Sequence, residues 1–476
     1  MKRKVIVTLG IVLAVSLLVP QVEAAESAFS SNQKTDNADS QSAFSSSSFA
    51  NQTEEKLTWG GTLKLDTRSI LDKNGESDLY SDPILDLDLN YKKANSEVKA
   101  TLNFVEGAKD EVDIEEAFIR LYYDNYDLVV GKKKEVWGNG DKLHVVDNLN
   151  GENLTDFINQ DYLDRQIGEE MIKMNYYLGT GTLEAVYSPN FTPDHLATSG
   201  QWVTNKMQNI NNLVKNKFDA VTAAQIKETL QSNPQQEIED GQLGLRYTNS
   251  QAGYDYGFSF YQGHLKRPSM SQTALGKLEQ GAYSNDSQTF LRDLNLHYDE
   301  VSIFGAEVSS VLAGINSRAE VAYYLTDDTA GDDADVHNNK VAWLIGGDRD
   351  LPLHNLNVNL QVKSEYVLEK DEIKDNTMPP SGKNIDIDYN KNGDYFTNMV
   401  VLKVSDQFKN ETITPQVSLV YNVENEDYML DNELELKLKD DTRLLFHYKL
   451  FEGANDTNFG QFDENDYLSA VFEYDF

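Results

Sequence analysis

The chain is 476 residues long, contains no cysteine and carries a formal net charge of −36. No disulfide framework and no lipid-anchored cysteine is possible in such a chain. A charge this negative argues against nucleic acid and anionic membrane surfaces as partners, and suits bound divalent cations or an interior that favours cations.

At the amino end, Lys2-Arg3-Lys4 precedes an apolar run over residues 5–19, then Pro20 and the small-residue site Val22-Glu23-Ala24. This pattern predicts a secretory signal peptide over residues 1–24. Residues 25–55 are rich in Ser, Asn, Gln and Ala and repeat Ser-Ala-Phe-Ser-Ser at 27 and 42, which predicts a flexible polar leader. After residue 24 no apolar run is long enough for a helical membrane span. Hydropathy is silent on spans made of strands, whose alternation gives a weak signal.

From Leu57 onward, segments of period two follow one another. Leu85, Leu87, Leu89 and Tyr91 share one face, as do Val98, Ala100, Leu102 and Phe104. The same spacing returns at Tyr254–Phe260, at Ala319–Leu325 and, longest of all, at Leu356–Leu368. With 25 Tyr, 20 Phe and only 10 Pro, the composition fits a barrel. Residues 56–476 are therefore predicted to form one all-β domain, a transmembrane antiparallel up-and-down β-barrel of about 16–18 strands. Short polar connections alternate with longer acidic ones such as 327–339 and 369–393.

Two segments break the alternation. Residues 198–240 place Val203, Met207, Ile210, Val214, Phe218 and Val221 at helical spacing, which predicts a short helical insertion. Residues 134–170 hold Trp137-Gly138-Asn139-Gly140-Asp141, followed by Asp147, Asp156, Asp164 and Arg165. A connection of that length between strands must be held by its own contacts. It is expected to fold into the lumen, either as a constriction or as a salt-bridged plug. Trp137, Asp141, Asp147, Asp156, Asp164 and Arg165 are the candidate constriction residues, with the acids expected to pair with Lys132, Lys133, Lys134 and Arg165. The order strand, Gly131, basic run, Trp-Gly, Asp, acidic Asn loop, Arg165, strand, turn, strand, Pro189 resembles an uncharacterised family of Gram-negative outer-membrane β-barrel proteins. That resemblance spans about residues 113–193. It implies an outer-membrane location and, since some members are encoded beside efflux-type transporters, a periplasmic or inner-membrane transporter partner. The lysine run stands where the family usually has an Arg-Gln pair, and the chain also departs in length after Pro193.

Asp386, Asp388, Asn390, Asn392 and Asp394 space oxygens at every second residue around Gly393. The spacing resembles the first half of a calcium loop. The twelfth position from Asp388 is Met399 rather than a glutamate, so a solvated acidic turn is the favoured reading and Ca2+ the alternative; no other cofactor is expected. Seven scattered histidines and the absence of a Gly-x-Ser-x-Gly or His-Glu-x-x-His motif point away from an enzyme. Finally, Leu468, Phe472, Tyr474 and Phe476 form one apolar face of the last strand. A strand ending on an aromatic carboxy-terminus resembles the closing strand of bacterial outer-membrane barrels, which implies lipid contact and recognition by the barrel-assembly machinery. The expected function is an outer-membrane channel or transport barrel, passive and cation-favouring or the outer end of an export route for small or hydrophobic molecules. A structural or adhesive barrel with acidic or calcium-binding loops and no open pore is the alternative.

Overall fold

A computed structural model describes residues 55–71, 79–105, 112–156, 161–231, 241–283, 286–375, 384–387, 389–390 and 392–476; the signal peptide, nearly all of the leader, and Asp388 lie outside them. Among the described residues eighteen strands form one sheet. The first five are β1 (Lys56–Ile70), β2 (Leu79–Lys93), β3 (Ser96–Val105), β4 (Val112–Tyr122) and β5 (Tyr126–Lys133). After a long connection come β6 (Glu169–Leu178) and β7 (Gly181–Ser188), then β8 (Gln242–Gln251) and β9 (Tyr254–His264). The second half holds β10 (Glu300–Leu312), β11 (Ile315–Thr326), β12 (Lys340–Asp350), β13 (Asn357–Val367) and β14 (Phe396–Ser405). It ends with β15 (Ile413–Asn422), β16 (Asp427–Lys439), β17 (Thr442–Glu452) and β18 (Tyr467–Asp475).

Each strand pairs antiparallel with its sequence neighbours, and β18 pairs with β1 from Thr62↔Asp475 to Ile70↔Tyr467. Gly61 and Phe476 exchange both backbone hydrogen bonds at the seam, at 3.1 and 3.0 Å. The barrel is closed, so no strand edge is left to template aggregation.

Period-two alternation sorts the side chains. In β18, Tyr467 is 1% exposed and faces inward, while Leu468 is 47% exposed and faces outward with Phe472, Tyr474 and Phe476. Phe258, Phe304, Ile345 and Leu360 join the same outer belt. The inner face carries Asp66, Arg68, Lys173, Glu184, Arg246 and Glu320. A contiguous apolar belt outside and charge inside is the reverse of a water-soluble domain.

The two ends of the barrel differ. At one end the connections are tight, with Ala252-Gly253 and Ala313-Gly314 both at positive φ, the two-residue geometry that follows strand twist. At the other end lie the described parts of the long connections 134–168, 189–241, 265–299, 327–339 and 368–395. Helices α1 (Tyr162–Arg165), α2 (Asn205–Lys217), α3 (Ala220–Gln231), α4 (Gln272–Glu279), α5 (Ser287–Leu294) and α6 (Lys370–Asp375) all sit there. Ile210, Val214 and Phe218 of the α2 segment pack on Ile226, Leu278, Phe290 and Leu294, a core separate from the barrel wall. Val221 is exposed, and Val203 packs elsewhere.

Candidate functional site

The loop 134–168 leaves β5 and crosses the lumen. Trp137 is fully buried at its start. Its indole N–H donates to Glu184 on β7, and its ring lies where Gly244 on β8 has no side chain; a Cβ there would come within 2.7 Å of the ring. A buried indole needs both an apolar bed and an acceptor, and the wall supplies both. Gly138 follows at φ +113°, and a Cβ on it would approach Glu320 and His144 to 2.5 Å. Only glycine lets the backbone come this close to a wall carboxylate.

Glu320 on β11 is the fixed point on the far side. Its Oε1 accepts from the N–H groups of Asn139 at 2.8 Å and Gly140 at 2.7 Å, and lies 3.0 Å from His144 Nδ1. Its Oε2 accepts from Val145 N–H at 2.8 Å. Two strands further, Gln361 on β13 accepts from Asp141 N–H and donates to Asp141 O, while Asn359 donates to the Asp141 carboxylate at 2.5 Å. The loop then turns back, burying Val145, Val146 and Leu149 with Trp137, Tyr261, Ile303 and Tyr324. Gly305 on β10 makes room for Val146, since a Cβ there would lie 2.8 Å from it. At the base, Asn150 accepts from Glu135 N–H and donates to Ile167 O, which ties the two ends of the loop together.

Burial shapes the charges of this loop. Asp147 is pushed up to about 6 by burial, only partly countered by the His144 charge, the Tyr162 hydroxyl and the Trp137 N–H. For His144, burial disfavours the cation, but the hydrogen bond and charge of Glu320 outweigh it and the pKa is raised. Lys266, in the neighbouring connection, is lowered to about 8 by burial. It donates to Leu149 O at 3.0 Å and to Gln242 Oε1 at 2.8 Å.

The sequence-predicted residues thus take different positions. Trp137 is an anchor under the loop and does not line a passage. Asp141 is fixed to β13. Asp147 and Arg165 line a cavity of about 690 Å3 above the loop, together with Tyr162, Lys266, Lys340 and Lys363. Asp156 pairs with Arg68 on β1 at 2.5 Å, and Asp164 is exposed on α1. The lysine run finds other acids than those expected: Lys132 pairs with Asp113, Lys133 with Glu135, Lys134 with Glu115, and Arg165 with Glu152. These acids are nearer along the hairpin or the loop base, which leaves Asp141 and Asp156 for the wall and Asp147 for partners within the loop.

In the segment 384–394, Asp386 turns toward His337 Nδ1 at 2.7 Å and Asn338 N–H at 2.8 Å. Asn390 donates to Asp394 at 2.6 Å and accepts from Gly393 N–H, and Asn392 is exposed. Among the described residues these oxygens close turns and do not converge on one point.

A second connection crosses the mouth. Ala197, Trp202 and Val203, which follow β7, pack on Ile70, Phe451, Phe462 and Tyr467 of the opposite wall. Asn205 donates to Asn455 O at 2.6 Å, and Asn465 donates to Gln201 O at 2.8 Å. The residues that hold both crossings, Glu320, Glu184, Gly244, Gln361 and Phe451, lie far from the loops in sequence. For all but Phe451, the local signal was a polar or missing side chain on the inner face of a strand.

No protein-family model matches the chain, and no curated protein matches it. Solved structures with a similar course include OccAB4 of Acinetobacter baumannii, at 10% identity and TM-score 0.47, covering 90% of this chain and 99% of that one. OccK11 of Pseudomonas aeruginosa is 10% identical with TM-score 0.45, covering 88% and 95%. Salmonella typhi OmpF in complex with daunomycin is 8% identical with TM-score 0.41, covering 89% and 98%. Similarity at this level describes the broad course of the chain, and the functional argument rests on the geometry above.

Proposed function

We propose that this chain is a passive outer-membrane channel whose bore is set by the loop 134–168. The observation that carries the reading is the path of that loop, from Trp137 against β7 and β8 to Glu320 on β11 and Gln361 on β13. A loop held across the inside of a closed barrel, by wall carboxylates and amides and by an apolar core under the loop, narrows the lumen. The outer apolar belt fits lipid, and closure satisfies the backbone hydrogen bonds that lipid cannot. Export through the expected signal peptide would place the barrel in the outer membrane of a diderm bacterium. There, Leu468, Phe472, Tyr474 and Phe476 would present the closing strand to the assembly machinery.

Solutes would be small and hydrated, since the wall and loop offer alternating carboxylates, ammonium groups and amides. The net charge of −36 supports a preference for cations. An export role, handing on cargo from an inner-membrane transporter, would use the same conduit in one direction. The strap from Trp202 to Phe451 favours a second reading, a barrel closed at the mouth that serves as a structural protein. Reversal potentials in a salt gradient across planar bilayers separate the two. Stepwise currents with a cation-selective reversal potential support the channel; a heat-modifiable, inserted barrel that carries no current supports the structural protein.

A further inference from the structure

The wall away from the loop's anchor points carries a second constellation that neither the loop nor the mouth strap uses. In the register of β16 and β17, Glu433 faces His447 and Asp431 faces Lys449. His447 shares its strand face with the buried, inward Phe451, while the preceding Phe446 is exposed on the outer belt. The three side chains Asp431, Glu433 and His447 therefore look into the lumen. One ligand atom of each lies within 4.8 Å of the other two. His447 Nδ1 is 3.2 Å from Asp431 Oδ1 and 3.9 Å from Glu433 Oε2.

These separations have a chemical meaning. An ion held at about 2.0–2.2 Å by nitrogen and oxygen places its ligand atoms about 3.3 Å apart in a tetrahedron, and somewhat further in wider geometries. The two observed distances bracket that value. A single proton on Nδ1 serves Asp431 but leaves Glu433 beyond hydrogen-bonding range. Glu433 accepts an amide N–H from Gln416 at 3.1 Å, while Lys449 approaches the other oxygen of Asp431 at 3.4 Å. Lys449 already balances part of the charge of Asp431, so the case for a cation rests on the convergence of the three ligand atoms. The ligands stand on paired strands, so little chain ordering accompanies binding.

We propose that Asp431, Glu433 and His447 form a lumen-facing site for a first-row divalent transition cation. One imidazole with two carboxylates suits Zn2+, Mn2+ or Fe2+, whereas Ca2+ wants six to eight oxygens. Three protein ligands leave positions for water, so the ion exchanges with the lumen. The site is separate from the oxygens at 386–394.

The test is isothermal calorimetry of the purified, tag-free barrel titrated with ZnCl2. One ion per chain is expected, undisturbed by tenfold excess Ca2+. His447→Ala should weaken it at least about tenfold and Glu433→Gln by several-fold, both in barrels that stay heat-modifiable. His354→Ala, His297→Ala and His337→Ala should leave it unchanged. The proposal is overturned by a folded wild type without saturable uptake, by unchanged affinity in His447→Ala, or by loss of the strong site in His337→Ala or His297→Ala. Because the readout is heat of binding, either outcome stands apart from whether the barrel conducts.

Discussion

Replacing Glu320 by alanine removes the carboxylate that holds the loop tip to the far wall. Glu320 is 3% exposed and accepts three backbone N–H groups at 2.7–2.8 Å, with His144 as a fourth partner. Hydrogen bonds to a charged group contribute about 1.5–3 kcal/mol each, and stranded buried donors cost about 1–3 kcal/mol each. Water entering the vacated space relieves part of that cost, so about 3–5 kcal/mol of local anchoring is a fair expectation for the group. At about 1.4 kcal/mol per tenfold, the tip should detach roughly 10² to several 10³ times more often. The strands keep their closed pairing, so the loss is confined to the loop. Hydrogen–deuterium exchange with mass spectrometry should show residues 138–146 exchanging faster by that factor, with strand peptides unchanged. Glu320→Gln, which retains a carbonyl acceptor, should fall between. Exchange of 138–146 within about twofold of wild type in a folded Glu320→Ala barrel would refute the clamp.

Gly244→Val puts a side chain where the Trp137 ring lies and should expose that indole, read as acrylamide quenching of a Trp137-only variant; an unchanged quenching constant would mean that the ring is not seated there. The pH dependence of the loop follows from two raised groups. Asp147 is raised to about 6 from 3.8, so its contribution to loop stability is greatest below about pH 4 and is lost as pH rises through 6. His144 acts in the same direction, present below 6.5 and lost as pH rises through its raised value. Loop protection, corrected for intrinsic exchange, should therefore fall from pH 5 to pH 8. Asp147→Asn should flatten that fall and protect the loop more than wild type does at pH 8. Deleting Phe476 removes both hydrogen bonds to Gly61 at the seam and should lower the yield of heat-modifiable barrel several-fold, read by gel mobility.

The barrel was legible because period two is a local property. The face of Leu356–Leu368 and the last strand could be read from spacing alone, and the strand count of eighteen falls at the upper end of the expected range. Trp137, Gly138, Gly140 and Asp141 were legible as one motif in a loop that must be held by its own contacts. What they meet was not legible, since Glu184, Gly244 and Glu320 are brought to the loop only by closure of the ring. The ion pairs of the lysine run were misjudged for a related reason: spacing along a loop does not reveal that a hairpin acid such as Glu115 lies closer. Helices α4 and α5 went unread, although Ser271 and Asp286 cap them and Ala274 with Leu278, and Phe290 with Leu294, repeat at four residues. Their short length hid them between strong strands.

The most direct test of the central claim compares single-channel conductance of the wild type with a barrel lacking residues 139–160, both shown to be heat-modifiable. The account predicts a stepwise current in the wild type and a larger one after deletion, because the crossing from Trp137 to Gln361 is gone. An equal or smaller conductance in the folded deletion barrel would contradict it and place the narrowest point elsewhere.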